Sequence, residues 1–168
     1  TTFGLKYDFE VEQISAQEIN DISISSTKIR TALEEGKINL ANEYLGYSYF
    51  LSGTVEKGKQ LGRTIGFPTA NIKLEEDYKL IPKNGVYVVS SLIEGKTVYG
   101  MLNIGFNPTV EGKKLAIEVH FLDFDKAIYE QKISVSFLHR IRSEEKFPSL
   151  ESLKIQLEKD RETTKTFV

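Results

Sequence analysis

From Tyr47 to Ile141 the sequence is a succession of short strand-like segments set apart by turn residues, and a chain patterned in that way has few means of hiding its edges. The segments YSYFLSGTVE (47–56), GVYVVSSLI (85–93), TVYGMLNIG (97–105), LAIEVHFLDF (115–124) and QKISVSFLHRI (131–141) carry the β-branched and aromatic residues of strands. Glu94-Gly95-Lys96 reads as a hairpin between 85–93 and 97–105, and DKAIYE joins the last two segments. An open sheet of such strands leaves a row of unpaired backbone groups at each edge. A closed or nearly closed antiparallel barrel is therefore expected.

The barrel segments are flanked by helical patterns. Ser25 and Ser26 precede TKIRTALEEG, in which Ile29, Ala32 and Leu33 follow helical spacing and Gly36 supplies a stop. KINLANEYLG follows with Ile38, Ala41 and Leu45 on one stripe and Gly46 closing it. At the other end Pro148 and Ser149 introduce Leu150, Leu153 and Leu157, with Glu151 and Lys159 placed to suit the helix dipole. The opening TTFGLKYDFEVEQI reads as a strand already inside a sheet, so the chain is expected to be the C-terminal part of something longer.

Composition narrows the chemistry. A chain of 168 residues, 40% hydrophobic, supports one buried core rather than two full domains. Its 22 basic and 24 acidic residues are interspersed and sum to −2, which gives no footprint for a nucleic acid. The absence of cysteine excludes disulfides, thiolate catalysis and thiolate-bound zinc. Histidine occurs only at 120 and 139, too few for a multi-histidine metal site. No apolar run approaches the ~20 residues of a membrane helix, and a cytoplasmic protein without a membrane partner is expected.

Three features carry candidate chemistry. GTVEKGKQ (53–60) nearly matches a P-loop, but Gln60 stands where the magnesium-holding hydroxyl belongs and no helix is expected to follow. Gly58, Gly62 and Gly66 recur every four residues around Arg63, a spacing too costly for a helix at roughly 1 kcal/mol per glycine and so assigned to a loop. That loop is either a plain connection or a flap whose amides approach phosphate oxygens. Thr69 and Asn71, just beyond the stiff Pro68, share one face if the segment is extended, with Ala70 turned away. Both offer neutral oxygens suited to a hard cation shared with nucleotide phosphates, although spacing alone favours a turn that closes a strand. Glu118 lies with Ala116 and His120 on one strand face, opposite Leu115, Ile117, Val119 and Phe121. Alternation alone leaves that face either solvated or turned toward the flap, where the carboxylate can accept a proton from an attacking hydroxyl. FLHRIRSEEKFPSLESL reads as a charged loop entering the last helix.

Taken together, GKQLGRTIGFPTANI, NIGFNPTV, IEVHFLDF and IRSEEKFPSLESLKIQLEKD resemble, in order and spacing, the riboflavin kinase module at the C-terminus of bacterial bifunctional riboflavin kinase/FAD synthetases. The resemblance covers about residues 46 to 160 and implies a mainly β fold. It consists of a six-stranded antiparallel Greek-key barrel with a C-terminal helix, preceded by a short α-helical fragment. A strand or two between 68 and 84 must then complete the barrel. The implied reaction is transfer of the γ-phosphate of ATP to the ribityl 5′-hydroxyl of riboflavin, giving FMN and ADP with Mg2+ as cofactor. In that resemblance Thr69 and Asn71 are the magnesium and phosphate contacts, and Gly58, Gly62, Arg63 and Gly66 form a flap over the nucleotide. Glu118 matches the catalytic glutamate, and Arg142 with the final helix matches the region bordering the isoalloxazine ring. Asn103, Asn107, Pro108 and Thr109 match a second loop near the nucleotide.

Residues 1–45 resemble the end of the FMN adenylyltransferase module that precedes the kinase in such proteins, leaving 46–168 as the kinase domain. Ser25, Ser26, Thr27 and Arg30 match a segment that helps bind ATP phosphates there. The HxGH-type motif of that module is absent from this sequence, so FAD formation is not expected. A non-catalytic barrel binding a flavin or a single-stranded nucleic acid is the alternative reading, and it lacks the basic, aromatic groove that such binding requires.

Overall fold

The structure is a computed structural model and describes residues 18–19, 22–58, 61–109 and 112–168, with the side chains of residues 18–19, 22–23, 61, 107–109 and 112–114 not among those described. The strand expected in TTFGLKYDFEVEQI lies outside the described residues, as do the side chains of Asn107, Pro108 and Thr109. Two short strands, β1 (Glu18–Ile19) and β2 (Ile22–Ser23), pair with each other. Helices α1 (Ser26–Glu35) and α2 (Ile38–Leu45) follow. The Ser25 hydroxyl accepts from Lys28 N, and Gly36 and Gly46 close the helices at φ 76° and 74°, a conformation that glycine adopts without a Cβ penalty.

Six antiparallel strands then close a barrel in the order β3-β4-β7-β6-β5-β8. They are β3 (Phe50–Glu56), β4 (Ala70–Leu74), β5 (Gly85–Ile93), β6 (Lys96–Thr109), β7 (Gly112–Phe121) and β8 (Lys132–Arg142). Pairing of β3 with β8 completes the circle, so every barrel strand has a neighbour on both sides. The β5–β6 hairpin turns on Glu94 and Gly95, both at positive φ, and Ile93 pairs directly with Lys96. That twist matches the flanking strands. β4 is the strand the sequence left unread between 68 and 84, being only five residues long.

Leu51, Val55, Tyr87, Val89, Leu102, Ile104, Val119, Val135 and Phe137 fill the barrel interior. Ala32 and Leu33 of α1 and Ile38 and Ala41 of α2 belong to the same buried cluster, so the helices plug one end of the barrel rather than standing apart from it. Asn42 fastens α2 there, its amide donating to Phe137 O at 2.8 Å while its carbonyl accepts from Tyr49 N at 2.8 Å. Helix α4 (Leu150–Lys165), opened by a Ser149–Ser152 capping box, lies against β6 on the outside.

One expectation is corrected. Residues 61 to 64, assigned to loop, form a single helical turn, α3 (Leu61–Thr64). A glycine penalty accumulates over a long helix but is tolerable over one turn, and Gly66 at φ 85° ends it at once.

Candidate active site

The site begins with strand register. In β4 and β7, Asn71 is directly opposite Glu118, and Glu118 is in turn opposite Asn103 of β6. Directly opposed residues of antiparallel strands project from the same face. Their strand neighbours Ile72, Ile117, Val119, Leu102 and Ile104 are all buried in the barrel, so Asn71, Glu118 and Asn103 project outward as one row. The same row continues to Val86 of β5 and Arg142 of β8. Arg142 reaches it because the β5–β8 register shifts twice, between Val86 and Tyr87 and between Val88 and Val89. Bulges of this kind re-aim side chains and escape an alternation read from sequence.

This outer face is not simply solvated. Phe67, Val86 and Met101 form a second buried cluster outside the barrel, joined by Ile65, Ile141 and Leu157. The cluster pins the exit of the glycine-rich segment and helix α4 to the barrel wall. Glu118 is half-buried on the same face, so that face is partly covered rather than fully solvated.

Of the three glycines, Gly58 meets the row directly. The Asn71 carboxamide lies against Gly58, where an added Cβ would come within 2.7 Å of Asn71 Cγ. Phe67 N donates to Gly62 O at 2.8 Å, folding α3 back on the Phe67–Pro68 segment, while Arg63 and Gly66 are exposed. Thr69 is half-buried just before β4. A prediction follows from the first of these contacts. Gly58 has an ordinary negative-side φ, so Gly58→Ala leaves the backbone unstrained and the melting temperature level or slightly raised. It must nevertheless displace the Asn71 side chain, and a tenfold or larger fall in turnover is expected, since ångström-scale misplacement near reacting groups costs up to ~10²-fold.

Arg142 is engaged rather than open. Its Nε donates to both Asp160 oxygens at 3.0 Å and its Nη2 to Oδ2 at 2.7 Å, while Asp160 also accepts from Gln156 at 2.9 Å. The guanidinium also lies 5.6 Å from the Phe147 ring centroid. The sequence reading missed Asp160, whose only signal is a lone acid on the buried stripe of the last helix. It also missed Glu144, whose carboxylate folds over Gly105 next to Asn103, with an added Cβ there falling 2.8 Å from Glu144 Cδ. Ser25, Ser26, Thr27 and Arg30 are exposed at the start of α1.

The donor set can be tested against a metal. Among the described residues no three His, Asp, Glu or Cys side chains cluster in a way that could cage a cation. Thr69 and Asn71 offer neutral oxygens, which fit a hard cation whose remaining ligands are phosphate oxygens and water. An open groove of about 640 Å³ between the β5–β6 hairpin and the turn after β7, lined by Tyr99, Phe124 and Lys126, shares no residue with the row.

Comparison with known proteins is consistent along the chain. The riboflavin kinase (flavokinase) family model matches residues 45–168. A bifunctional riboflavin kinase/FMN adenylyltransferase of Listeria monocytogenes is 47% identical over 160 residues, covering 95% of this chain and 51% of that protein. One of Haemophilus influenzae is 45% identical over 163 residues, covering 96% of this chain and 52% of that protein. The chain thus spans about half the length of the curated relatives it matches. A crystal structure titled macrolide-efflux protein, from Streptococcus pneumoniae, superposes over 98% of this chain and 55% of its own with a TM-score of 0.87 at 38% identity. With three quarters of its length matched by the family model and its outward Asn71–Glu118–Asn103 row set beside the glycine-rich segment, the chain belongs to the riboflavin kinase family.

Proposed function

We propose that the chain transfers the γ-phosphoryl group of ATP to the ribityl 5′-hydroxyl of riboflavin, producing FMN and ADP. The observation that carries this reading is the register pairing of Asn71 with Glu118, which sets a carboxamide beside a carboxylate on one outward face. The hydroxyl oxygen forms a bond to the γ-phosphorus as the bond to the bridging oxygen of ADP breaks. The hydroxyl proton passes to a Glu118 carboxylate oxygen during that transfer, because an alcohol is too weak an acid to ionise beforehand. Thr69 and Asn71 would hold Mg2+, which when bound offsets charge on the phosphates. Arg63 and the amides of Gly58, Gly62 and Gly66 face the nucleotide, and their closure excludes water as a competing acceptor. The Arg142 side of α4 borders the isoalloxazine ring.

The reading is tested by incubating the chain with ATP, riboflavin and Mg2+ and separating the flavins. FMN is expected, and its absence overturns the proposal. Thr69→Ala is expected to raise the Mg2+ concentration needed for half-maximal rate, and an unchanged magnesium titration removes Thr69 from the metal site.

Residues 1–45 we read as the end of an adenylyltransferase module, with Ser25, Ser26, Thr27 and Arg30 at the N-terminus of α1, where backbone amides favour phosphate. Matches of 160 residues to bifunctional relatives support this, because they extend beyond the stretch matched by the kinase family. No described helix is long and apolar enough to cross a membrane. A cytoplasmic site of action is part of the proposal, since ATP is the donor.

A further inference from the structure

Beyond its last backbone pair the β4–β7 ladder is extended by a side chain. Asn71 pairs with Glu118 and Ala70 with Val119, and the next step back along β4 reaches Thr69 and then Pro68, which has no N–H to contribute. The Pro68 carbonyl can still accept, and the His120 side chain supplies a donor to it. The imidazole Nδ1 lies 2.8 Å from Pro68 O, and a carbonyl only accepts, so Nδ1 carries the proton. Residues 68 to 71 are thus stitched to residues 118 to 120 at both ends of Thr69.

The imidazole is itself held. Its ring meets Phe67 edge-on at 5.2 Å, and its strand partner across β6 is Met101, both members of the second buried cluster. Arg161 of α4 also lies over the Phe67 ring, 5.7 Å from its centroid, and is paired with Glu158. Burial, reinforced by Arg161 and opposed by Pro68 O and Glu158, holds the His120 pKa below the ordinary histidine value. A neutral ring with one N–H, already committed to Pro68, has no proton to offer the reaction.

We infer that His120 is a positioning residue for the phosphoryl transfer: it latches the Pro68–Thr69 peptide to strand β7 and so fixes the distance between Thr69 and Glu118. The inference rests on the kinase reading for its catalytic consequence, but the latch itself is a property of the fold.

Two substitutions separate the donor from the ring. His120→Phe keeps the edge contact with Phe67 and loses the donor. His120→Asn loses the ring but places its Nδ2 where Nδ1 lies. In His120→Phe the KM for MgATP is expected to rise or kcat to fall about tenfold, in line with ångström-scale misplacement of a binding group, while the KM for riboflavin changes less than about twofold. His120→Asn is expected to recover most of that loss. Amide exchange over residues 66–71 is expected to quicken in His120→Phe and to stay near wild type in His120→Asn. Wild-type kinetics with unchanged exchange in His120→Phe overturns the latch. Equal impairment of both variants, accompanied by a matching fall in melting temperature, also overturns it, since packing of the ring is then the whole effect. A wild-type chain that makes no FMN overturns the kinase reading instead, and the exchange measurement alone then decides the latch.

Discussion

Glu118→Gln is expected to lower kcat for FMN formation by roughly 10²-fold or more, the usual scale for loss of a positioned general base. The substitution keeps the shape of the side chain and a carbonyl oxygen able to accept a hydrogen bond from the ribityl hydroxyl. What it removes is the capacity to take the proton as the P–O bond forms. Glu118 stands outside the barrel core between Asn71 and Asn103, so the interior packing that sustains the fold is untouched, and an unchanged melting temperature is expected. The KM for ATP is expected to stay within about threefold, because the phosphates are met by Asn71, Thr69 and the glycine-rich segment in this mechanism. Steady-state kinetics with separated flavins, beside thermal melts, reads all three quantities. Wild-type turnover would return Glu118 to an ordinary outward strand residue.

The contrast between what alternation revealed and what it hid has a physical basis. Leu115, Ile117, Val119 and Phe121 were legible as one face because a half-buried strand separates apolar from polar side chains with a period of two, and Ile117, Val119 and Phe121 are buried in the core while Leu115, partly buried, packs against it. The same pattern could not say where the polar face of β7 looks. That depends on a second layer outside the barrel, built from Phe67, Met101, Val86 and Leu157, which lie far apart in sequence. The helices were legible from their caps, Ser25, Gly36, Gly46 and Ser149, since capping chemistry is local. β4 was not, because five residues preceded by a proline offer too little alternation to register as a strand.

At the site, residue types were legible and partnerships were not. Thr69, Asn71 and Glu118 were singled out by sequence, yet only register shows Asn71 beside Glu118 across 47 positions of chain. Arg142 was placed on the flavin side, yet two bulges and a helix determine where its guanidinium goes. His120 sat in view two residues from Glu118, but its role as donor depends on a proline carbonyl 52 residues away in sequence. Long-range pairing of this kind leaves no periodic trace for a single sequence to display.

The second large effect is expected at Asp160, and it tests what Arg142 does. The Asp160 side chain is 1% exposed and that of Arg142 15%, so both charges have left most of their water and depend on one another. Removing one partner of such a pair strands the other, which typically costs 3–5 kcal/mol. Asp160→Ala would leave the guanidinium with Ser143 O and the face of Phe147, and would release the amide of Gln156 as well. A loss of about 3–5 kcal/mol in denaturant unfolding is therefore expected, together with a raised KM for riboflavin as α4 loosens from the row. The double variant Arg142→Met, Asp160→Leu removes both charges while keeping apolar volume, and is expected to regain most of the stability, because paired replacement of a buried ion pair avoids the stranded charge. If Arg142 borders the flavin, that regained stability comes without a regained KM. If the KM recovers along with the fold, the guanidinium serves only to fasten the helix, and the flavin contact must be sought elsewhere on α4.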